Sequence, residues 1–297
     1  MSRVERNGRS WRAFEKALRA IRKGVSECGV RIIDNIVHNL IFCPRWQNPS
    51  SKMLGVKRKE ENMNSSHTNG NRKTIIIGGF GPGISTAVAE QFGSNGFSLA
   101  LIGRNAERVA AGAKELTAKG FRAEPFVADL SKPEEIRDVV SKVRAALGSI
   151  SALQWTAFSF GAGDLTTASA DEIQEVLAVA VGGLVTAVQA ILPDLVANKG
   201  ALLVTNGGLG FFDPQFDAIG VKWNAMGVSV ANSAKHKVVA LLAHKLKAQG
   251  IYVGEVVVTR TVTTVKDNND PALIESRAVA TKFWEMYQDR DSISVTV

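Results

Sequence analysis

The turn Gly79-Phe80-Gly81-Pro82-Gly83-Ile84-Ser85 follows the β-branched run Thr74–Gly79 and leads into a stretch with helical pattern. Glycine lets a backbone take positive φ and lie close to a ligand. A helix starting behind such a turn presents unpaired amides and the positive end of its dipole, which suits a pyrophosphate. The spacing G-x-x-x-G-x-G fits better than G-x-G-x-x-G. It puts Gly79 and Gly83 in place, with Gly81 between them, Ser85 at the third glycine and Ile84 opening the helix. The next apolar run ends in Gly103-Arg104-Asn105. A carboxylate there would bind a ribose 2′-hydroxyl and favour NAD(H). Arg104 instead offers a planar cation to a 2′-phosphate, so NADP(H) is favoured over NAD(H). A third run ends in Ala128-Asp129-Leu130. Asp129 either accepts a hydrogen bond from an adenine amino group or caps the following helix. Further on, Asn232 and Lys235 are spaced to share one face of a helix.

These residues need a frame. Strands are predicted at 74–79, 97–103, 122–130, 150–157, 201–205, 251–259 and 292–297. Between them lie helical stretches near 84–94, 105–119, 133–147, 170–197, 225–249 and 271–287, with Ser131 as the expected N-cap of the third. Segment 207–220 reads as a loop, and its aromatics Phe211, Phe212 and Phe216, with Trp223 beyond, either roof a pocket or are buried lid contacts or an oligomer interface. Strands that are almost wholly apolar, alternating with helices, imply a parallel sheet covered on both sides. The expected fold is therefore α/β: a single doubly wound, Rossmann-like, mostly parallel sheet of six to seven strands with helices on both faces.

The charge divides the chain. Residues 1–72 hold 15 Lys+Arg against 6 Asp+Glu, whereas 73–297 hold 21 against 22. The net +8 thus belongs to the N-terminal stretch and gives no reason to expect nucleic acid on the body. Residues 1–72 are read as a basic extension outside the fold. Targeting segment, basic arm and misplaced start, with Met63 as the candidate, all remain open. Two cysteines, Cys28 and Cys43, make neither a disulfide framework nor a zinc site, so no metal is expected and a reducing, cytoplasmic setting fits. No apolar run reaches the ~18 residues of a membrane span.

The glycine turn, Gly103-Arg104-Asn105, Asp129-Leu130, and the helix after Ala231-Asn232-Ser233-Ala234-Lys235 together resemble the short-chain dehydrogenase/reductase superfamily over about 73–297. The resemblance implies an NAD(P)(H)-binding domain, hydride transfer between cofactor and a carbonyl or alcohol, and a homodimer or homotetramer. It implies cofactor contacts at Ala157 and Thr263 besides those above, and Lys235 beside the nicotinamide ribose. The substrate stays unknown. The superfamily works with a Tyr acid/base, a Lys four residues later, a Ser and an Asn. Aligned on Lys235, the Tyr position is Ala231; counting back from Gly250 without a gap, Asn232 takes the Lys position instead. The Ser position falls on Gly207 or Gly208 and the Asn position on Ala180. Lys235 and Asn232 are the catalytic candidates that remain. A divergent oxidoreductase and a dinucleotide-binding sensor or partner subunit without turnover both fit.

Overall fold

A computed structural model describes residues 72–264 and 272–297; the expectations for the N-terminal extension lie outside the described residues, Arg72 apart. Seven strands form one parallel sheet: β1 (Thr74–Gly78), β2 (Ser98–Gly103), β3 (Ala123–Val127), β4 (Ile150–Trp155), β5 (Ala201–Gly207), β6 (Tyr252–Val258) and β9 (Ser294–Thr296). Their order is β3-β2-β1-β4-β5-β6-β9. The chain turns back between β1 and β4, so a crevice opens at the carboxyl ends of those strands. A small parallel pair, β7 (Thr261–Thr263) with β8 (Leu273–Glu275), was not expected from the sequence.

The helices are α1 (Ile84–Ser94), α2 (Ala106–Ala118), α3 (Pro133–Leu147), α4 (Ala170–Leu177), α5 (Leu184–Asn198), α6 (Pro214–Lys222), α7 (Met226–Leu246) and α8 (Ser276–Asp289). Side chains alternate across each strand, and the sheet therefore has two cores. Leu153, Trp155 and Val204 pack with α3, α5 and α7 on one face. Ile75, Ile77 and Leu203 pack with α1, α2 and α8 on the other. In α3 the apolar positions Ile136, Val139, Val140, Val143 and Leu147 make the buried stripe, and Gly148 closes the helix at φ 83°. Its N-cap is Lys132, not Ser131 as expected. The Ser131 hydroxyl donates to Asp129 Oδ1 at 2.8 Å and is therefore spent one turn earlier.

The expected loop 207–220 is also corrected. Asp213 caps α6, accepting from Gln215 N at 2.8 Å, and Pro214 opens the helix. Phe212 is 98% exposed and Trp223 63% exposed, so neither is a buried contact. The run 170–198 is helical throughout and, by length and composition, long and apolar enough to cross a membrane. Here it carries core residues of the sheet's first face, such as Leu184, Ile191 and Leu195.

That run is not one regular helix. Residues Ala178–Gly183 form a π-helical segment between α4 and α5. Its last glycine is where the backbone presses hardest on the sheet. A Cβ on Gly183 would stand 2.0 Å from the Leu130 carbonyl oxygen and 3.2 Å from the Trp155 indole. Gly183→Ala therefore forces a backbone shift in a packed region and is expected to cost about 1–3 kcal/mol. Urea denaturation of the two proteins measures it; an unchanged midpoint would contradict the packing argument.

Candidate functional site

The glycine turn is shaped by its own side chains. Gly79 N and Phe80 N both donate to Ile102 O, at 3.0 and 2.8 Å, which ties the turn to the end of β2. Ser85 Oγ accepts from Gly81 N at 2.9 Å and donates to Gly81 O at 2.8 Å, while Thr86 Oγ1 donates to the same carbonyl at 2.7 Å. Gly79 has φ 85°, and a Cβ there would lie 2.5 Å from Ala157 N. Gly83 sits at φ 94° immediately before α1. Both need glycine, one for space and conformation, the other for conformation alone. Phe80 is buried against Gly112, where a Cβ would stand 2.2 Å from the ring. A glycine inside α2, unfavourable for helix propensity, is thus what lets the turn dock.

An 850 Å³ cleft opens above this turn. Gly79, Gly81, Gly83, Ile84, Arg104, Asn105, Asp129, Leu130, Ala157 and Thr263 all line it. These are the expected cofactor contacts apart from Lys235. Asn105 also caps α2, accepting from Arg108 N at 2.8 Å. Asp129 Oδ1 accepts from Ser131 N and Oγ. Partial burial pushes its carboxyl up, but those hydrogen bonds and the charges of Arg104 and Lys132 outweigh burial and hold it below the ordinary range. Its other oxygen makes no hydrogen bond among the described residues. Asp129 therefore shapes its turn and still faces the cleft.

Arg108 lines the same wall and was missed by the sequence reading. The signal was available: it lies in the first turn of the helix that begins just after Arg104. Two exposed cations beside one cleft end, neither in a hydrogen bond or close ion pair among the described residues, suit a phosphate. Arg104→Ala is expected to weaken NADPH binding by about 1–3 kcal/mol, with a smaller loss for Arg108→Ala, and to leave NADH nearly unchanged. Nicotinamide fluorescence titration checks this; equal losses for both cofactors would remove the 2′-phosphate assignment.

At the end of β5 the structure separates the two catalytic candidates. Asn206 is buried, and its Nδ2 donates to Glu255 Oε2 at 2.9 Å and to Asn232 O at 3.1 Å, while its Oδ1 accepts from Gly207 N at 3.1 Å. This staple holds α7 against β5 and β6. It brings the Asn232 side chain over Gly207, with Nδ2 only 2.7 Å from where a Cβ would stand. Gly208 faces Thr259 and Phe216 instead. The fold thus sets Asn232, which the count from Gly250 without a gap puts at the Lys position, against Gly207, one of the two candidates for the Ser position. Ala231 is buried in a small cluster with Ala162, Val176 and Ala180.

Neither Lys235 nor Asn232 is among the residues that line the cleft. Lys235 is 3% exposed, packed between α7 and the sheet. Burial pulls its ammonium down to about 8, against a smaller upward pull from Glu255. Glu255, wholly buried on β6, accepts from Asn206 and from Ser294 Oγ at 3.0 Å and contacts His236 Nδ1. Both tyrosines of the chain are committed elsewhere. Tyr252 donates to Ser292 O at 2.6 Å, and burial pushes its phenol up to about 12. Tyr287 stacks on Trp284 and packs edge-on with Phe92 and Phe97.

Comparison with known proteins bears on this arrangement. A family model described as short chain dehydrogenase matches residues 73–272. A cis-2,3-dihydrobiphenyl-2,3-diol dehydrogenase of Paraburkholderia xenovorans is 29% identical over 176 residues, covering 57% of this chain and 58% of that one. A short chain dehydrogenase of Pseudocercospora fijiensis is 37% identical over 81 residues, 27% of this chain and 26% of its own. The matches thus span between a quarter and three fifths of these relatives. Among solved structures, L-sorbose reductase of Gluconobacter frateurii, with NADPH and L-sorbose, superposes at TM-score 0.67 and 20% identity over 76% of this chain and 95% of that one. A Sphingobium yanoikuyae enzyme with NADPH does so at TM-score 0.63 and 23% identity, over 75% and 87%.

Proposed function

The chain belongs to the short-chain dehydrogenase family, and on that premise we propose that residues 73–297 bind NADP(H) in preference to NAD(H) and form an oxidoreductase that works without the family's Ser-Tyr-Lys set. The cleft carries the first half of this reading. Gly79 and Gly83 let the backbone approach a pyrophosphate at the N-terminus of α1. Arg104 and Arg108 take the 2′-phosphate, Asp129 and Leu130 face the adenine, and Thr263 meets the other end. The bound dinucleotide supplies or accepts the hydride.

What is lacking among the described residues is a tyrosine at the cleft. With Tyr252 and Tyr287 both committed to the core, no phenol is available to protonate an alkoxide. Gly207 offers no hydroxyl, and Asn232 offers only an amide. Asn232 rather than Lys235 is the group we assign to the reacting end, on its contact with Gly207 alone, since both are buried and neither lines the cleft. Hydride transfer to an activated alkene, which leaves a stabilised enolate, or to an imine already protonated as an iminium, needs less proton assistance than ketone reduction. The substrate we infer is of that kind, with its proton coming from water or from the substrate itself. The same observation favours a second reading: a dinucleotide-binding sensor or partner subunit with no turnover.

A panel of activated alkenes, imines and ketones, followed by NADPH absorbance, distinguishes these. Turnover confined to alkenes or imines supports the oxidoreductase. NADPH binding without turnover on any of them supports the second reading. No dinucleotide binding at all would remove both. A chain shortened to begin at Met63 is expected to bind as the full chain does.

A further inference from the structure

A polar cluster on the floor of the cleft is left unused by the function just described. Gln154, in β4, is wholly buried. Its Nε2 donates to Thr205 Oγ1 at 2.9 Å and also to Thr156 Oγ1. The two hydroxyl oxygens are 3.0 Å apart. Oε1 of Gln154 is buried with no hydrogen-bond partner among the described residues. The strand register explains how the three meet. Gln154 pairs with Leu203 and Trp155 with Val204, so the next residues, Thr156 and Thr205, stand side by side. Gln154 and Thr156, two apart, point to the same sheet face.

The protons in this cluster do not all find acceptors. The two amide hydrogens of Gln154 each fill a lone pair on one hydroxyl. One hydroxyl then donates to the other. With the amide in this orientation, in which Oε1 makes no hydrogen bond, the second hydroxyl keeps a hydrogen that nothing inside the cluster receives. Thr156 lines the cleft, whereas Thr205 does not. The rotor that can turn its hydrogen outward is therefore that of Thr156. An amide already donating to that oxygen polarises it and strengthens the outward bond.

The position identifies the acceptor. In a doubly wound sheet a dinucleotide lies across the switch between β1 and β4. Arg104, Arg108 and Asp129 belong to the β2 and β3 side. Thr156 and Thr205 belong to the β4 and β5 side, where the other half of the ligand would rest. We propose that Thr156 Oγ1, oriented by Gln154 and Thr205, donates a hydrogen bond to an oxygen of the nicotinamide half of the bound dinucleotide. This rests on the dinucleotide reading above.

The test is a pair of titrations, one with NADPH and one with 2′,5′-ADP, which lacks the nicotinamide half. Thr156→Val is expected to weaken NADPH binding by roughly 3- to 10-fold, the range of one neutral hydrogen bond, and to leave 2′,5′-ADP unchanged. Thr156→Ser keeps the hydroxyl and should retain wild-type affinity. Gln154→Met, which preserves volume while removing the amide, should weaken NADPH selectively, and it carries the test if Thr156→Val does not fold. Unchanged NADPH affinity in the folded variant overturns the proposal, as does an equal loss on both ligands. Failure of the wild type to bind either ligand would strike the dinucleotide reading itself.

Discussion

Simple ketones offered with NADPH are expected to turn over about 10²- to 10⁴-fold more slowly than they would with a general acid in place. The reason lies in what surrounds the reacting end. A ketone that accepts hydride becomes an alkoxide and needs a proton at once. On the function proposed above, the positions at that end are Gly207 and Asn232, brought together by the Asn206 staple. Four residues before Asn232, where a tyrosine would complete the family's pair, stands the half-buried Val228. Loss of an oxygen-polarising donor adds a penalty of similar size, but the groups act as a unit and the factors do not multiply. Steady-state NADPH oxidation over a ketone panel measures the deficit. The combined Val228→Tyr, Asn232→Lys variant should regain turnover. Ala231→Tyr should not, because Ala231 is packed against Ala162, Val176 and Ala180 with no room for a ring. Brisk ketone turnover by the wild type would mean that another group supplies the proton.

The contrast between positions 231 and 228 shows what a sequence can and cannot place. The sheet was legible because its strands are almost wholly apolar, and the lining of the cleft because glycine, arginine and aspartate follow strands directly. A residue tied to a strand end has little freedom once the strand is known. Register along a long helix is different. α7 has small and polar residues on several faces, so a three-residue shift between Asn232 and Lys235 leaves no contradiction in the sequence. Only the contact with β5 fixes it. Two other features were hidden for local reasons. Asp213-Pro214 is a helix-start signal, but it sat inside an aromatic segment that read as a loop. The π segment depends on the close approach of Gly183 to Leu130, which no sequence pattern encodes. Arg108 carries a weaker signal because it lies inside α2, whereas Arg104 directly follows a strand end.

Lys235, displaced from the cleft, becomes a matter of stability. It is buried, its ammonium pulled from the ordinary 10.5 down to about 8. No hydrogen bond reaches its Nζ among the described residues; Glu255 compensates only through its charge. The sign follows from proton counting. Below pH 8 the lysine is charged in both folded and unfolded chains, and the folded state bears the full cost of burying it. Between about 8 and 10.5 the folded protein has released a proton that the unfolded chain still holds, so that cost shrinks as pH rises. The cost at neutral pH is roughly 3 kcal/mol at most, since the loss of Glu255's favourable charge interaction accompanies any removal of the lysine. Lys235→Met fills the space without the charge. It is expected to stabilise the protein by about 1–3 kcal/mol at pH 7, and the gain should fade as pH approaches 10.5. Urea denaturation of both proteins at pH 7 and pH 9.5 reads this as a difference, which cancels the other groups that titrate in that range. Dinucleotide affinity should be unaffected, because Lys235 does not line the cleft. A variant that is less stable at pH 7 would show that the pairing with Glu255 outweighs burial. A variant that lost NADPH binding with its stability intact would return Lys235 to the cofactor site.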